Sequence, residues 1–177
     1  MKRYILIFLV SFLLFDGVAA QDRGVELSGD VLSLALPAAA FTSTIIWKDG
    51  EKSTLRFIGA MGMSVAVTYG LKYLIDKDRP NGEPHSFPSG HSSNAFTGAA
   101  FLQRKFGCKV GIPAYALAAY TAWSRVYTDN HDYWDVLAGA AIGIGSAYAF
   151  SKWKKRNVNV SFNRSGDIRL VGFSYTF

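Results

Sequence analysis

The 177-residue sequence has a single cysteine, Cys108. No internal disulfide can form, and no cysteine-rich metal centre can exist. The chain is also short: one core fits, but not a catalytic domain beside a separate regulatory one. Basic residues are not gathered into a patch interleaved with exposed aromatics, and no nucleic-acid-binding motif occurs. The formal charge of +6 and the pI of about 9.5 therefore point to other acidic partners, phosphates or anionic lipids, and not to nucleic acid.

What is present is largely apolar. Half the residues are hydrophobic. The mean hydropathy of +0.13 sits between that of a soluble globule and that of a dense membrane bundle. Lys2 and Arg3 precede a nearly unbroken apolar run from Tyr4 to Phe15, and Val18-Ala19-Ala20 supplies small residues at cleavage spacing. This predicts a signal peptide over residues 1–20, with an uncleaved first membrane helix as the alternative.

Five further apolar segments follow: Val31 to Trp47, Thr54 to Ile75, Ser92 to Gln103, Val110 to Ser124 and Tyr133 to Phe150. Their length and their content of Ala, Leu, Met and Gly predict helices. The expected fold over residues 21–156 is all-α, a membrane-embedded bundle of five or six helices. A soluble bundle of helices apolar all round is the alternative. Lys48 and Lys52, then Arg104, Lys105 and Lys109, then Lys152, Lys154, Lys155 and Arg156 fall in alternate connections. The positive-inside rule puts these on the cytoplasmic side and residues 76–91 and 125–132 on the outer side. Gly139 and Gly143 form a small-xxx-small pair, which predicts close helix packing. The tail, residues 157–177, alternates apolar and polar residues around Arg164-Ser165-Gly166-Asp167. That pattern predicts a β-hairpin, which should pack on something, since a lone hairpin is marginal.

Three clusters carry chemistry, all in or beside the two outer connections: Lys72-x6-Arg79-Pro80, Pro88-Ser89-Gly90-His91, and Ser124-Arg125-x5-His131-x3-Asp135. Lys72, Arg79 and Arg125 are cations at helix ends, where each could pair with Asp76, Asp78 or Asp129. Together they make an anion clamp, Arg giving two-pronged hydrogen bonds to phosphate and Lys a point charge. Ser89 suits a helix cap, and Gly90 lets backbone amides approach an anion at the helix start. His131 and Asp135 share one helical face, so the carboxylate can fix the ring tautomer and leave the other nitrogen free to attack. A buried structural His–Asp pair is the plainer alternative. His85 fits none of the clusters and reads as a solvated loop histidine. Trp123, Tyr127, Tyr133 and Trp134 flank the third cluster, suited to an acyl-chain entrance, to headgroup level, or to ordinary packing.

Taken together, the three clusters resemble the signature of the type 2 phosphatidic acid phosphatase superfamily, which includes bacterial acid phosphatases and vanadium haloperoxidases. The resemblance covers roughly residues 31 to 150 and omits the tail. It implies a metal-independent, cofactor-free phosphatase. His131 would be the nucleophile that forms phosphohistidine, Asp135 its orienting partner, and His91 the general acid and later base. Lys72, Arg79, Arg125, Ser89 and Gly90 would cradle the phosphoryl oxygens, with the cations in place of a metal. With the apolar segments, it implies a phosphorylated-lipid substrate at the bacterial inner membrane, with the site facing the periplasm. The candidates are phosphatidic acid, phosphatidylglycerol phosphate, undecaprenyl diphosphate and lipid A. A soluble periplasmic acid phosphatase of broad specificity is the runner-up. The chain is short for a vanadate-dependent haloperoxidase.

Overall fold

The computed structural model describes residues 18–47, 52–151, 158–165 and 168–175. Along the chain run α1 (Val18–Ile46), α2 (Ser53–Leu74), α3 (Gly90–Phe106), α4 (Cys108–Tyr127) and α5 (Tyr133–Phe150), then strands β1 (Val158–Ser165) and β2 (Ile168–Tyr175). The predicted helices α2 to α5 are all found, within a few residues of the apolar segments that announced them. The strands pair antiparallel, Val158 opposite Tyr175 and Ser165 opposite Ile168, as the alternation predicts. The expectation that they pack on something concerns side chains of residues 158–175 that lie outside those described.

The largest departure is α1. It begins at Val18, well before the apolar segment that starts at Val31, and runs unbroken through Ala20. Residues 1–17, which hold most of the predicted signal segment, lie outside the described residues. The polar turns of α1 escape the hydrophobic pattern because Glu26 and Asp30, though partly exposed, find partners within the bundle. They face charged and amide groups of α4 and its C-terminal turn, described below.

Helix α3 is central and packs against the other four. The interior is built from small residues. Ala40, Ala60, Ala95, Ala99, Ala118 and Ala147 are fully buried, together with Ser64, Thr68, Thr97 and Thr121. Few large apolar side chains join them, Leu36, Phe57, Phe101, Leu102 and Val136, while Leu27, Leu34, Leu55, Ile112 and Leu137 are all more than half exposed. In water this distribution would waste most of the available apolar burial. It is the pattern of helices associating in lipid, where small residues permit close backbones and hydroxyls bond across interfaces. Thr97 Oγ1 donates to Ser64 Oγ at 2.9 Å and Thr68 Oγ1 to Ser93 Oγ at 3.0 Å, joining α2 to α3. By length and hydropathy, Arg23–Ile46 is the one stretch among the described residues that qualifies as a spanning helix.

Gly139 and Gly143 do allow the close approach the sequence predicts. A Cβ on Gly139 would strike the Ser89 carbonyl and lie 3.0 Å from Ser92 Cβ; one on Gly143 would strike the Ser93 carbonyl. The obstacles are backbone at the start of α3 and cannot swing away. Gly139→Val is therefore expected to destabilise the bundle by about 3 kcal/mol, at the upper end for overpacking. Thermal unfolding in detergent measures this; an unchanged midpoint would refute it.

The bundle has two distinct ends. Lys105 Nζ donates to the carbonyls of Ser43 (2.8 Å) and Trp47 (2.5 Å) at one end, where Trp47 also stacks edge-on against Phe106. The connections 75–89 and 128–132 meet at the other.

Candidate active site

The starts of α3 and α5 fix the site. Ser89 is the N-cap of α3, its Oγ accepting from Ser92 N at 3.4 Å, and its own N–H donates to the Asp135 carbonyl at 2.9 Å. Asp132 caps α5 reciprocally. Its Oδ1 accepts from Asp135 N at 3.0 Å, while Asp135 Oδ2 accepts from Asp132 N at 3.2 Å. This capping box seats the Asp135 carboxylate in the first turn, fully buried. The turn after α4, closed by the Asn130 and His131 amides donating to the Arg125 carbonyl (3.0 and 3.1 Å), delivers His131 beside it.

His131 Nδ1 lies 3.4 Å from Asp135 Oδ2. The carboxylate also accepts a very short hydrogen bond from Ser86 Oγ, and one from Lys77 Nζ at 2.7 Å on Oδ1. Lys77 reaches Asp132 Oδ2 as well, at 2.5 Å. Burial works against the Lys77 charge, but its bonds to Asp132 and Asp135 outweigh that and raise its pKa. His131 is pushed the other way. Burial, then the charge of Lys72, and to a lesser degree that of Arg79, overcome the pull of Asp135 and lower its pKa to about 4. At neutral pH the ring is uncharged. With Nδ1–H toward the carboxylate, Nε2 carries the free lone pair.

His131 forms part of the wall of a cavity of about 270 Å³. Lys72, Arg79, Gly90 and His91 line it too, so five of the eight predicted site residues converge there. The opposite wall is mainly apolar, with Leu34, Val65 and Tyr69. Lys72 Nζ donates to the carbonyls of His85 (2.7 Å) and Ser86 (3.3 Å). Arg79 Nη1 pairs with Glu83 at 2.6 Å, while its Nε is buried without a hydrogen-bond partner. Such a donor is suited to an incoming anion.

The other three lie behind the wall. Asp135 backs His131, Ser89 caps the helix under Gly90, and Arg125 is buried with every nitrogen engaged. Arg125 Nη1 donates to Asp30 at 2.7 Å, Nη2 to the Glu26 carbonyl, and Nε to Ser124 Oγ at 3.3 Å. None of the three cations pairs with Asp76, Asp78 or Asp129, the acids their sequence neighbourhood offers. His85 is tethered: its Nδ1 lies 3.1 Å from the Lys72 carbonyl and 3.5 Å from Asp76, and its ring sits against Tyr73, away from the cavity lining. Trp123, Tyr127, Tyr133 and Trp134 are exposed at this end of the bundle.

Four participants were not singled out by the sequence: Ser86, Lys77, Asp132 and Asp30. The first two lie in an irregular connection with no periodicity to read. Asp132 had a signal, an acid at N-cap spacing before Asp135. Asp30 sits in a stretch of α1 whose charges read as non-helical.

A buried His–Asp pair beside a cavity lined by Lys72 and Arg79 is an arrangement suited to a phosphate ester. Residues 53–159 match the PAP2 superfamily, and the chain belongs to that superfamily. It is similar to a lipid A 4'-phosphatase of Helicobacter pylori, 32% identical over 169 residues that cover 83% of this chain and 82% of that protein. A lipid A 1-phosphatase of Porphyromonas gingivalis is 31% identical over 106 residues, covering 55% of this chain and 24% of that one. Two solved structures share the fold. Aquifex aeolicus LpxE has a TM-score of 0.65 at 21% identity, covering 74% of this chain and 85% of that one. A transmembrane PAP2-type phosphatidylglycerolphosphate phosphatase of Bacillus subtilis has a TM-score of 0.55 at 23% identity, covering 82% and 91%.

Proposed function

We propose that this chain removes a phosphate from lipid A, or from a membrane lipid phosphate of similar headgroup, through a phosphohistidine at His131. The observation that carries the reading is the neutral His131 ring, backed by Asp135 and opening on a cavity lined by Lys72 and Arg79. Nε2 of His131 attacks phosphorus, and a P–N bond forms as the P–O bond to the lipid breaks. Asp135 stabilises the cation that develops on the ring. Lys72, the free Nε of Arg79 and the backbone at Gly90, at the positive end of the α3 dipole, hold the phosphoryl oxygens. His91 gives the leaving oxygen its proton. It then takes one from the water that attacks phosphorus, breaks the P–N bond and releases phosphate.

The exposed aliphatic surface and the aromatic residues at the site end favour a substrate presented at membrane level over a soluble one. The distribution of Lys and Arg between the two ends favours a periplasmic site at the inner membrane. Among the lipid candidates, the similarity to two lipid A phosphatases favours lipid A. The test is phosphate release by detergent-extracted protein in excess EDTA, from a panel of lipid A, phosphatidic acid, phosphatidylglycerol phosphate and undecaprenyl diphosphate, beside an aryl phosphate. Release from lipid A that exceeds the rest and survives EDTA is expected. A strict metal requirement would sink the mechanism, and a preference for the aryl ester would favour a soluble-type phosphatase.

A further inference from the structure

The family match begins at residue 53, so α1 lies outside it. Yet α1 reaches the site. Gly29 is buried against α4, where a Cβ would strike Ser124 Oγ and lie 2.7 Å from Arg125 Nη2. That notch lets the helix sit down on the third cluster. In the turn before it, Ser28 Oγ bonds Tyr120 Oη at 2.8 Å, the Glu26 carbonyl accepts from Arg125, and Glu26 Oε1 accepts from Asn130 Nδ2 at 2.9 Å. The next residue, Asp30, enters the cavity wall. Its Oδ1 lies 3.0 Å from His91 Nε2 and 2.7 Å from Arg125 Nη1.

We infer that Asp30 is a positioning residue that fixes His91 Nε2 and offsets part of the surrounding positive charge, so that the imidazole can carry the proton it transfers to the leaving group. The inference rests on the phosphatase reading above. Burial works against a charge on His91, and so do cations from three directions: Arg125 on α4, Arg79 in the connection after α2 and Lys72 on α2. His131, on the same cavity, is neutral. A general acid among three cations loses its proton too readily unless an anion offsets them. Asp30 is that anion, and Arg125, itself almost fully buried, holds it in place. With Nε2–H given to Asp30, the proton on Nδ1 passes to the leaving oxygen, and Nδ1 then accepts one from the attacking water. The arrangement mirrors that of His131, where a carboxylate holds one nitrogen and the chemistry falls to the other.

Asp30→Asn and Asp30→Glu are the variants to test. The chain has three histidines, so NMR titration of the full chain in detergent resolves His91, assigned by its loss in His91→Gln. In Asp30→Asn its titration should move down by about one pH unit or more, and in Asp30→Glu by a few tenths at most. Turnover of dodecyl phosphate, whose leaving group needs a proton, should fall about 10²-fold in Asp30→Asn. Turnover of 2,4-dinitrophenyl phosphate, whose leaving group does not, should hold. An unmoved His91 titration, or an equal loss on both esters, would overturn the inference. So would tighter orthovanadate inhibition of Asp30→Asn at unchanged turnover, which would make Asp30 an anion placeholder. If Asp30→Asn unfolds, the Asp30→Glu titration decides, a shift as large as one unit counting against the proposal. Wild-type protein inert toward every ester would sink the phosphatase reading, while the titration would still decide the pairing.

Discussion

Replacing His131 with alanine is expected to cut phosphate release by on the order of 10⁴-fold or more, the scale of losing a nucleophile whose partners cannot substitute for it. His91, the other histidine on the cavity, is held by Asp30 and not by Asp135, so residual turnover should not depend on Asp135. The same variant carries a second, independent signature. Burial, and then the charge of Lys72, lower the pKa of folded His131 from an ordinary 6.5 to about 4. Between those values the unfolded chain binds a proton that the native site refuses, so stability is lost as pH falls from about 6.5 toward 4. His131→Ala should lose its share of that acid destabilisation. Denaturant melts at pH 7 and pH 4.5, run on both proteins, measure it. Turnover within tenfold of wild type would refute the nucleophile assignment, and an unchanged pH slope would refute the neutral buried ring.

Asp135→Asn is expected to cost between about 10²- and 10⁴-fold in kcat with a smaller change in KM, since the carboxylate touches the nucleophile and not the substrate. The amide can present a donor to Nδ1 and so favour the wrong tautomer, and Lys77 and Ser86 lose the charge they share. Because His131 and Asp135 act as a unit, the double variant should be no slower than His131→Ala alone. Additive losses would mean that the Asp135 carboxylate serves the reaction by a route other than His131.

The helices of the bundle from α2 onward were legible because apolar runs mark them. His131 and Asp135 do meet, but not on one helical face as their spacing predicts: His131 precedes Asp132, the N-cap of α5, and the turn after α4 brings it to the carboxylate. The role of Arg125 was not legible. As sequence it is a third phosphate clamp; in the fold it is enclosed by Asp30, the Glu26 carbonyl and Ser124. That difference was invisible because the partners lie on a helix whose charged turns interrupt the pattern that reveals helices. Ser86 and Lys77 were missed for a related reason. Their positions are set by how a long connection folds back, and no spacing rule encodes that closure. The inverted packing, with mostly small and hydroxyl residues inside and many Leu and Ile outside, could not be read from a mean hydropathy that averages the two faces.

The bond between Arg125 and Asp30 joins residues 95 apart in the chain. His131 follows Arg125 by a few residues, so it leaves the ribosome long after Asp30, which walls the same cavity. The cavity is complete only once α4 has packed against α1 and α5 has brought Asp135 behind His131. A substitution in the contact between α1 and α4 is therefore expected to disturb the site from outside the cavity.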